Sequence, residues 1–302
     1  MLGCLGTHKG CGITCGPGRS FGGRIDRRET ATPDFLSSEA NLWQLVLLAF
    51  VSLVVGVVGG FIGLALGLVR LPVLLLLGFP LPLVAGTNLL VTTLSIATGA
   101  FQHLRDRRVQ WLVVATMGIP SVAGSLVGGL ASDQAPESAL ITLIAVLVTV
   151  QGAVMVVRAR RLAERYATEG ARSAAGADLG TGRHTAAATI GLGAGLVGGA
   201  IGLVLGSIRL PAMVSVLRMN PRIAVGTGAV IGLLMGIFGF IGHGVQGHID
   251  VPILISMGGS AVIGTYYGAK LSGRAPVGTL ALVMGLVLLG VGGSLFIEVF
   301  AR

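Results

Sequence analysis

The chain has 302 residues, of which 53% are hydrophobic and 11% are charged, and its mean hydropathy is +0.89. This composition excludes a soluble globular domain, because one core could not bury so much apolar sequence. The net charge of +9 does not indicate a nucleic-acid partner, since the Lys and Arg residues lie mostly between the apolar stretches and in the N-terminal tail. We therefore expect an all-α, polytopic protein of the lipid bilayer.

The N-terminal segment, residues 1–40, is rich in Gly, Arg, Ser and Thr and has no apolar periodicity. It predicts a disordered cytoplasmic tail without a cleavable secretory signal. Its three cysteines, Cys4, Cys11 and Cys15, form no CxxC pair and have no fourth ligand. They predict neither a metal site nor a disulfide framework.

The first apolar stretch, 41–69, carries no charge and is long enough for one spanning helix, with Trp43 as an interfacial anchor. The next stretch, Leu71–Pro80, is about half of the ~20 residues that a crossing needs. It predicts a re-entrant half-helix, which is tolerated at membrane depth only where it lines a cavity or is buried in protein.

Three further apolar helices and a hydrophilic linker complete the first half. We expect the helices at 84–104, 110–131 and 137–158, and the linker at 159–183. The resulting division is a tail at 1–40, a transmembrane repeat at 41–158, the linker, and a second repeat at 184–302.

The second half repeats the first with an offset of 139 residues before the half-helix loop and 140 after it. This indicates an internal duplication and about eight spans, four in each half. Parallel repeats follow if the half-helix does not cross the membrane, and inverted repeats follow if it does. The matched positions include Pro72 with Pro211, Gly86-Thr87 with Gly226-Thr227, Gly99 with Gly239, and His103 with His243.

The distribution of positive charge predicts a cell-membrane protein with both termini in the cytoplasm. In this interpretation the tail, the Arg105–Arg108 loop, the linker and Arg302 share the cytoplasmic side. Four other cations fall on the opposite side: Arg218, Arg222, Lys270 and Arg274.

Two arginines stand alone in apolar surroundings. Arg70 is the only Lys, Arg, Asp or Glu within 40–104, and Arg209 is the only one within 184–217. A central arginine costs about 2.5–3.5 kcal/mol on insertion scales, so a bound anion is an economical compensation. The alternative is that each guanidinium reaches the interface or bonds carbonyls freed at the following proline.

Residues around both arginines are candidate substrate ligands. Glycines at a helix break let backbone N–H groups approach an anion, although close helix packing also explains glycine-rich faces. Hydroxyl and amide side chains could add neutral hydrogen bonds, or bond their own helix backbone. Besides Arg70 and Arg209, the candidates are Gly63, Gly67, Gly202, Gly206, Pro72, Pro211, Thr87, Thr227 and Asn88, with further hydroxyls at Thr92, Thr93, Ser95, Thr98 and Ser207.

His103 and His243 occupy equivalent positions near the ends of their helices. They could modulate transport with pH, or act only as polar caps. The chain shows no paired carboxylates at depth, no nucleophile with a base, no metal cluster and no phosphate loop. The sequence therefore predicts neither an enzyme nor a cofactor.

Together these motifs resemble those of the sulfite exporter TauE/SafE family over about residues 42–300. The resemblance rests on the glycine-rich segments that end in Pro72 and Pro211, the Gly-Thr helix starts, and the segment Thr98–Arg105. It implies an eight-span duplicated transporter of sulfite, sulfonates or related organosulfur anions. The chain departs from the family's Gly-x-Gly-Gly-Gly pattern, since it has Ala65-Leu66 and Val204-Leu205 at the middle glycines.

The sequence thus predicts a permease that exports a small anion through a site between the two repeats. Because its spans contain no Asp or Glu, we expect uncoupled, electrogenic efflux driven by the membrane potential. A non-transporting assembly subunit, or a subunit that binds lipid headgroups, is the alternative function. The oligomeric state stays open.

Overall fold

The computed structural model of the chain describes residues 40–62, 67–168, 181–271 and 277–301. The tail predicted at 1–40 falls outside this range except for its last residue, as do Gly63 and residues 169–180 of the hydrophilic linker. The described residues are helical and contain no β-strand. The prediction of an all-α fold is confirmed.

The first half contains four long helical segments and one short helix. Helix α1 is Leu42–Ile62, α2 is Gly67–Leu76 and α3 is Leu81–Arg105. A continuous helical segment follows, made of α4 (Trp111–Val113), a π-helical turn (Val114–Gly118) and α5 (Ile119–Leu130). After a 3₁₀ turn at Ser132–Gln134, α6 extends over Glu137–Thr168.

The second half repeats this order. Its helices are α7 (Thr181–Ile201), the short α8 (Gly206–Ser215), α9 (Pro221–Val245), α10 (Val251–Leu271) and α11 (Val277–Ala301). Six described segments are long and apolar enough to cross a membrane, and two shorter apolar helices occur at Gly67–Leu76 and Leu282–Ile297.

Two helix boundaries differ from the sequence interpretation. The half-helix begins at Gly67 rather than after Arg70, so the arginine belongs to the first turns of α2. Helix α6 continues to Thr168, which makes the first ten residues of the expected linker helical.

The π-helical turn ends two residues before Pro120. The missing proline N–H and the clash of its ring with the previous turn disrupt the regular series of helical hydrogen bonds there.

Glycines allow the long helices to pack at backbone distance. A Cβ at Gly56 of α1 would lie 2.8 Å from the carbonyl oxygen of Ala261 in α10. A Cβ at Gly124 of α5 would lie 2.8 Å from the backbone nitrogen of Leu196 in α7. This close contact of small residues is typical of helices associated in membranes.

Helices α3 and α9, which occupy equivalent places in the two halves, cross in antiparallel directions. Gly86 near the start of α3 packs against the backbone of His248, just beyond the end of α9. Gly226 near the start of α9 packs in the same way against the backbone of Arg108, just beyond the end of α3. A glycine at each crossing is required because a side chain there would meet the opposing carbonyl oxygen.

Helices α1, α3 and α10 run parallel to one another. Ser256 of α10 donates to the carbonyl of Leu45 at 2.9 Å, and Gly268, three turns later in α10, packs against Val57 of α1. Helix α3 follows α10 likewise, from a contact of Thr87 with Asp250 to one of Leu94 with Gly258. The start of α1 and the end of α3 therefore lie at opposite ends of the bundle.

This arrangement corrects the expected distribution of charge. The sequence interpretation placed the Arg105–Arg108 loop on the same side as the start of α1. The parallel course of α1 and α3 separates them, because two parallel helices have their starts at one end of the bundle and their ends at the other. The starts of α1 and α3 share one end, and the end of α3 and the start of α9 share the other.

Candidate functional site

Both short helices present an arginine near their N-termini. Helices α2 and α8 each have ten residues, and Arg70 and Arg209 are the fourth residue of each. A positively charged side chain and the free N–H groups of a helix start both favour an anion nearby. The helical backbone is interrupted before α8 at Gly202. The φ of this residue is +70°, a left-handed conformation that glycine adopts without strain.

The two arginines line one cavity of about 610 Å³. Its walls come from α1, α2, α3, α8, α9 and α10, so both halves contribute. Residues lining its inner part include Arg70, Arg209, Gly206, Val204, Thr92 and Ser95. Residues lining its part toward the end of α3 include Gln102, His103, Asp106, Arg108, Val225 and Tyr266.

The arginine side chains are buried but poorly satisfied. Arg70 is 2% exposed, and its Nη2 lies 3.4 Å from the carbonyl oxygen of Ser52, while its Nε has no partner among the described residues. Arg209 is 1% exposed, and in the same part of the chain none of its Nε, Nη1 and Nη2 atoms has a hydrogen-bond partner. Buried guanidinium groups with unused donors are costly unless a ligand accepts from them.

No described carboxylate neutralises these two charges. The ion pairs of the described residues lie near helix ends, where Arg108 contacts Asp106 at 3.4 Å and His248 contacts Asp133 at 3.3 Å. A small anion in the cavity could satisfy both guanidinium groups at once. The planar fork of arginine donors suits an oxyanion, because two parallel N–H groups can bind two oxygens.

Hydroxyl groups line the α3 wall of the cavity. Ser95 donates to the carbonyl of Val91 at 2.9 Å, and Thr98 donates to that of Ser95 at 2.9 Å. The Thr92 hydroxyl is buried and has no partner among the residues described. It is therefore free to donate to a ligand beside the arginines.

The facing wall from α9 is formed by small residues. Gly228 and Ala229 line the cavity, and a Cβ added to Gly232 would lie 3.3 Å from Nη2 of Arg209. The absence of a side chain at residue 232 leaves the room that the guanidinium occupies. Any side chain at residue 232 would crowd the guanidinium group of Arg209.

Several residues predicted as ligands lie outside the cavity. The Thr227 hydroxyl accepts from the backbone N–H of Gln110 at 3.0 Å, and Thr87 accepts from that of Asp250 at 3.5 Å. Asn88 donates through Nδ2 to the carbonyl of Gly202 at 3.0 Å. These contacts hold the two halves together and leave the cavity to other side chains.

The remaining predicted positions have packing roles. Gly67 is buried against the Thr92 side chain, and Gly202 is buried against the backbone of Ala85. Pro72 and Pro211 lie within α2 and α8. Gly63 lies outside the described residues.

The two equivalent histidines occupy different environments. His103 is half-buried and lines the cavity. His243 is fully buried, and its Nε2 lies 2.8 Å from the carbonyl oxygen of Gly199. Because a carbonyl oxygen only accepts hydrogen bonds, this nitrogen carries the hydrogen.

Sequence reasoning missed the polar residues around the cavity mouth. Gln102, Asp106, Arg108 and Tyr266 line it, but each comes from a helix end or a loop with an ordinary interfacial composition. Only the tertiary contacts of α3 with α9 and α10 bring them together.

Comparison with known proteins identifies the group to which this architecture corresponds. The sequence profile described as "Sulfite exporter TauE/SafE" matches residues 48–295. The chain belongs to the sulfite exporter TauE/SafE family. It is also similar to "Probable membrane transporter protein YunE" of Bacillus subtilis (strain 168), with 25% identity over 268 residues, 84% of this chain and 98% of that protein. No solved structure matches the chain with comparable significance.

The protein is therefore a membrane transporter of the TauE/SafE family. The resemblance noted from the sequence is confirmed, over nearly the same residues. The departure at the middle glycines has a visible consequence in the second half of this TauE/SafE chain. Val204 lines the cavity and Leu205 is buried, so a valine side chain occupies part of the cavity wall that a glycine would leave as bare backbone.

Proposed function

We propose that this transporter exports a small organosulfur oxyanion, such as sulfite or a sulfonate, and binds it between Arg70 and Arg209. The observation that carries the proposal is Arg209, which is 1% exposed and has three guanidinium nitrogens without a partner among the described residues. Arg70 lines the same cavity, which supports a second guanidinium as a ligand. The family description supplies the substrate class.

The ligand set of the proposal is narrower than the one predicted from the sequence. It keeps the two arginines, adds the unpartnered hydroxyl of Thr92, and includes the first turn of α8 at Gly206. Thr87, Thr227 and Asn88 act instead as contacts between the halves. Their hydrogen bonds are already used by backbone groups of the opposite half.

We further propose that the halves are inverted repeats. Two equivalent contacts between the halves support this. Thr87 of the first half contacts the backbone of Asp250 in the second. Thr227, the counterpart of Thr87, contacts the backbone of Gln110, which is the counterpart of Asp250. The antiparallel crossing of α3 and α9 has the same reciprocity. Equivalent helices that run in opposite directions are the signature of a two-fold axis in the membrane plane.

The end of the bundle where α3 ends is proposed to face the cytoplasm. Short connections at the other end, 77–80, 131–136 and 246–250, contain no Lys or Arg. Positive charge in short connections marks the cytoplasmic side. The cations of the described connections and helix ends on the proposed cytoplasmic side are Arg105, Arg107, Arg108, Arg158, Arg160, Arg161, Arg165, Arg183, Arg218, Arg222 and Lys270.

This orientation revises the earlier expectation for the termini, because the start of α1 lies at the opposite end from the Arg105–Arg108 loop. It also directs the cavity mouth, with His103, Asp106 and Arg108, toward the cytoplasm. A substrate made in the cytoplasm would then reach the arginines directly. For a monovalent anion, an interior-negative potential favours exit by about 2.3 kcal/mol per 100 mV.

The test is flux of radiolabelled sulfite or a sulfonate in proteoliposomes whose potential is set with potassium and valinomycin. We expect efflux to follow the imposed potential at equal pH, and Arg70→Gln or Arg209→Gln to abolish it. Arg105→Gln is the matched control, because it removes the same charge from an exposed side chain that is not among the residues lining the cavity. Normal flux in both buried variants would overturn the assignment of the arginines.

A binding assay separates transport from the alternative of a non-transporting subunit. A ligand that binds only the folded protein raises its unfolding temperature by mass action. Protection by sulfite together with flux supports the proposal. Protection without flux would favour a binding or assembly role instead.

A further inference from the structure

We propose that His243 with Gly199 and His103 with Gly60 are two alternating closures of the transport path, of which this structure has the first closed and the second open. The inference rests on the proposed transport of an anion through the arginine site. The two pairs occupy equivalent positions in the repeated sequence, since Gly60 precedes Gly199 by 139 residues and His103 precedes His243 by 140.

The first closure is fully formed. His243 is completely buried and bonds the Gly199 carbonyl at 2.8 Å, which joins α9 to α7. Around it, Gln246 donates to the carbonyl of Leu130 at 2.8 Å and accepts from the Ser132 hydroxyl at 3.2 Å. Together these contacts seal the path at the end where α3 begins.

Below this seal, α3 packs directly against the segment that precedes α8. Ala85 is 1% exposed and its backbone abuts Gly202, so even a methyl group on Gly202 would collide with it. The side-chain amide of Asn88 donates a hydrogen bond to the carbonyl of Gly202. Access to Arg209 from this end is therefore blocked by backbone contact.

The second closure is open. His103 and Gly60 both line the cavity, and no hydrogen bond joins the His103 ring to Gly60 among the residues that the structure describes. Val225 and Gly228, which are the counterparts of Ala85 and Asn88, also line the cavity instead of sealing it. The described counterparts of His243, Ala85 and Asn88 thus line the open cavity.

The packing shows which parts must move. The contacts of α3 with α9 are the same at both ends, because Gly86 and Gly226 each meet the backbone beyond the other helix. Helix α1 packs on α10, and α7 packs on α5, through backbone contacts at Gly56 and Gly124. In the second state the α1 and α10 pair approaches the end of α3, while the α7 and α5 pair leaves the end of α9.

Charged residues at the open end favour the approach of α10 to the end of α3. Asp106 is the counterpart of Gln246, and Lys270 is the counterpart of Leu130, to which Gln246 donates. Asp106 is at present paired with Arg108 at 3.4 Å. When the second closure forms, Asp106 comes to face Lys270, and an ion pair replaces the neutral hydrogen bond of the first closure.

Cysteine accessibility tests the two closures in the full chain. The background replaces Cys4, Cys11 and Cys15 with Ser, and single reporters are Ala85→Cys for the sealed end and Val225→Cys for the open end. A membrane-impermeant maleimide is added to each face in turn. Leu89→Cys is a second reporter for the sealed end, because its counterpart Ala229 lines the open cavity.

In the parent background we expect Val225→Cys to react from the face where α3 ends, and Ala85→Cys to be protected from the opposite face. Adding His243→Ala should raise the labelling rate of the sealed-end reporter about tenfold, the shift expected from losing one buried hydrogen bond. Adding His103→Ala should not raise it. The inference is overturned if His243→Ala leaves both sealed-end reporters protected, or if the two histidine variants have equal effects.

A sulfonate separates the closure from the proposed substrate, and methanesulfonate is the probe because sulfite itself would add to the maleimide. In the parent background, methanesulfonate should increase labelling of the sealed-end reporter as molecules cycle, and His103→Ala should remove that increase by preventing the second closure. Arg209→Gln should remove the methanesulfonate response but keep the effect of His243→Ala. If methanesulfonate evokes no response in any background while His243→Ala still opens the sealed end, the closures stand and the proposed substrate fails.

Discussion

Replacing Arg209 with Gln should have opposite effects on stability and on ligand binding. In the protein without ligand, the substitution removes a buried charge that is 1% exposed and has no described hydrogen-bond partner. Since a central arginine costs about 2.5–3.5 kcal/mol on insertion scales, the neutral amide should raise the free energy of unfolding by about 1–3 kcal/mol. An ordinary buried residue would lower it on substitution.

Binding should change in the other direction. If an oxyanion accepts two bonds from this guanidinium, the loss of two charge-assisted hydrogen bonds at about 1.5–3 kcal/mol each weakens binding by about 10²–10⁴-fold. Arg70→Gln should have a smaller effect on stability, because Nη2 of Arg70 already contacts the Ser52 carbonyl at 3.4 Å. A residue kept at a cost to stability is one that the function requires.

The assay is thermal unfolding of the purified protein in detergent, with and without sulfite, beside Arg105→Gln as the exposed control. We expect Arg209→Gln to unfold at a higher temperature than the parent without ligand, and to show no rise with sulfite. The control should match the parent in both conditions. A lower unfolding temperature for Arg209→Gln without ligand would refute the reasoning, because it would mean that the guanidinium stabilises the fold.

Three smaller changes probe the same site. Gly232→Ala puts a methyl group 3.3 Å from Nη2 of Arg209 and should weaken sulfite binding about three- to tenfold in a titration, with little change in unfolding temperature. Thr92→Val keeps the side-chain volume but removes the free hydroxyl, so sulfite affinity should fall about two- to tenfold. The stability of the protein without ligand should stay the same or rise. An unchanged affinity would exclude Thr92 as a ligand. Gly202→Ala should lower the yield of folded protein and its unfolding temperature, because φ is +70° and the new Cβ would meet neighbouring backbone, whereas Gly206→Ala, with open space around its Cβ, should fold normally.

Much of the protein could be inferred from local properties of its sequence. The bilayer needs long apolar helices, so hydropathy and length located the main helical segments and the short helix that ends near Gly78 and Pro80. The isolation of Arg70 and Arg209 in apolar sequence drew attention to two residues that the structure places in one cavity. The family was also evident, because its motifs are short and contiguous.

Only the tertiary structure determined the direction of the helices. The short helix α2 could have ended within the membrane or returned the chain across it, and its ten residues fit both. The contacts of Gly86 and Gly226 make α3 and α9 antiparallel, and those of α10 make α1 and α3 parallel. Cations that the sequence interpretation divided between two sides, Arg105 to Arg108 on one and Arg218, Arg222 and Lys270 on the other, thereby lie at the same end of the bundle.

The structure also distinguished residues that are equivalent in the sequence. His103 and His243 have matching surroundings along the chain, yet one lines the cavity and the other is sealed against Gly199. The repeat specifies both positions but cannot state which end of the path is open, since either closure satisfies the same local pattern. That difference comes from how α1 and α7 pack against α3 and α9, and these contacts join residues more than forty positions apart.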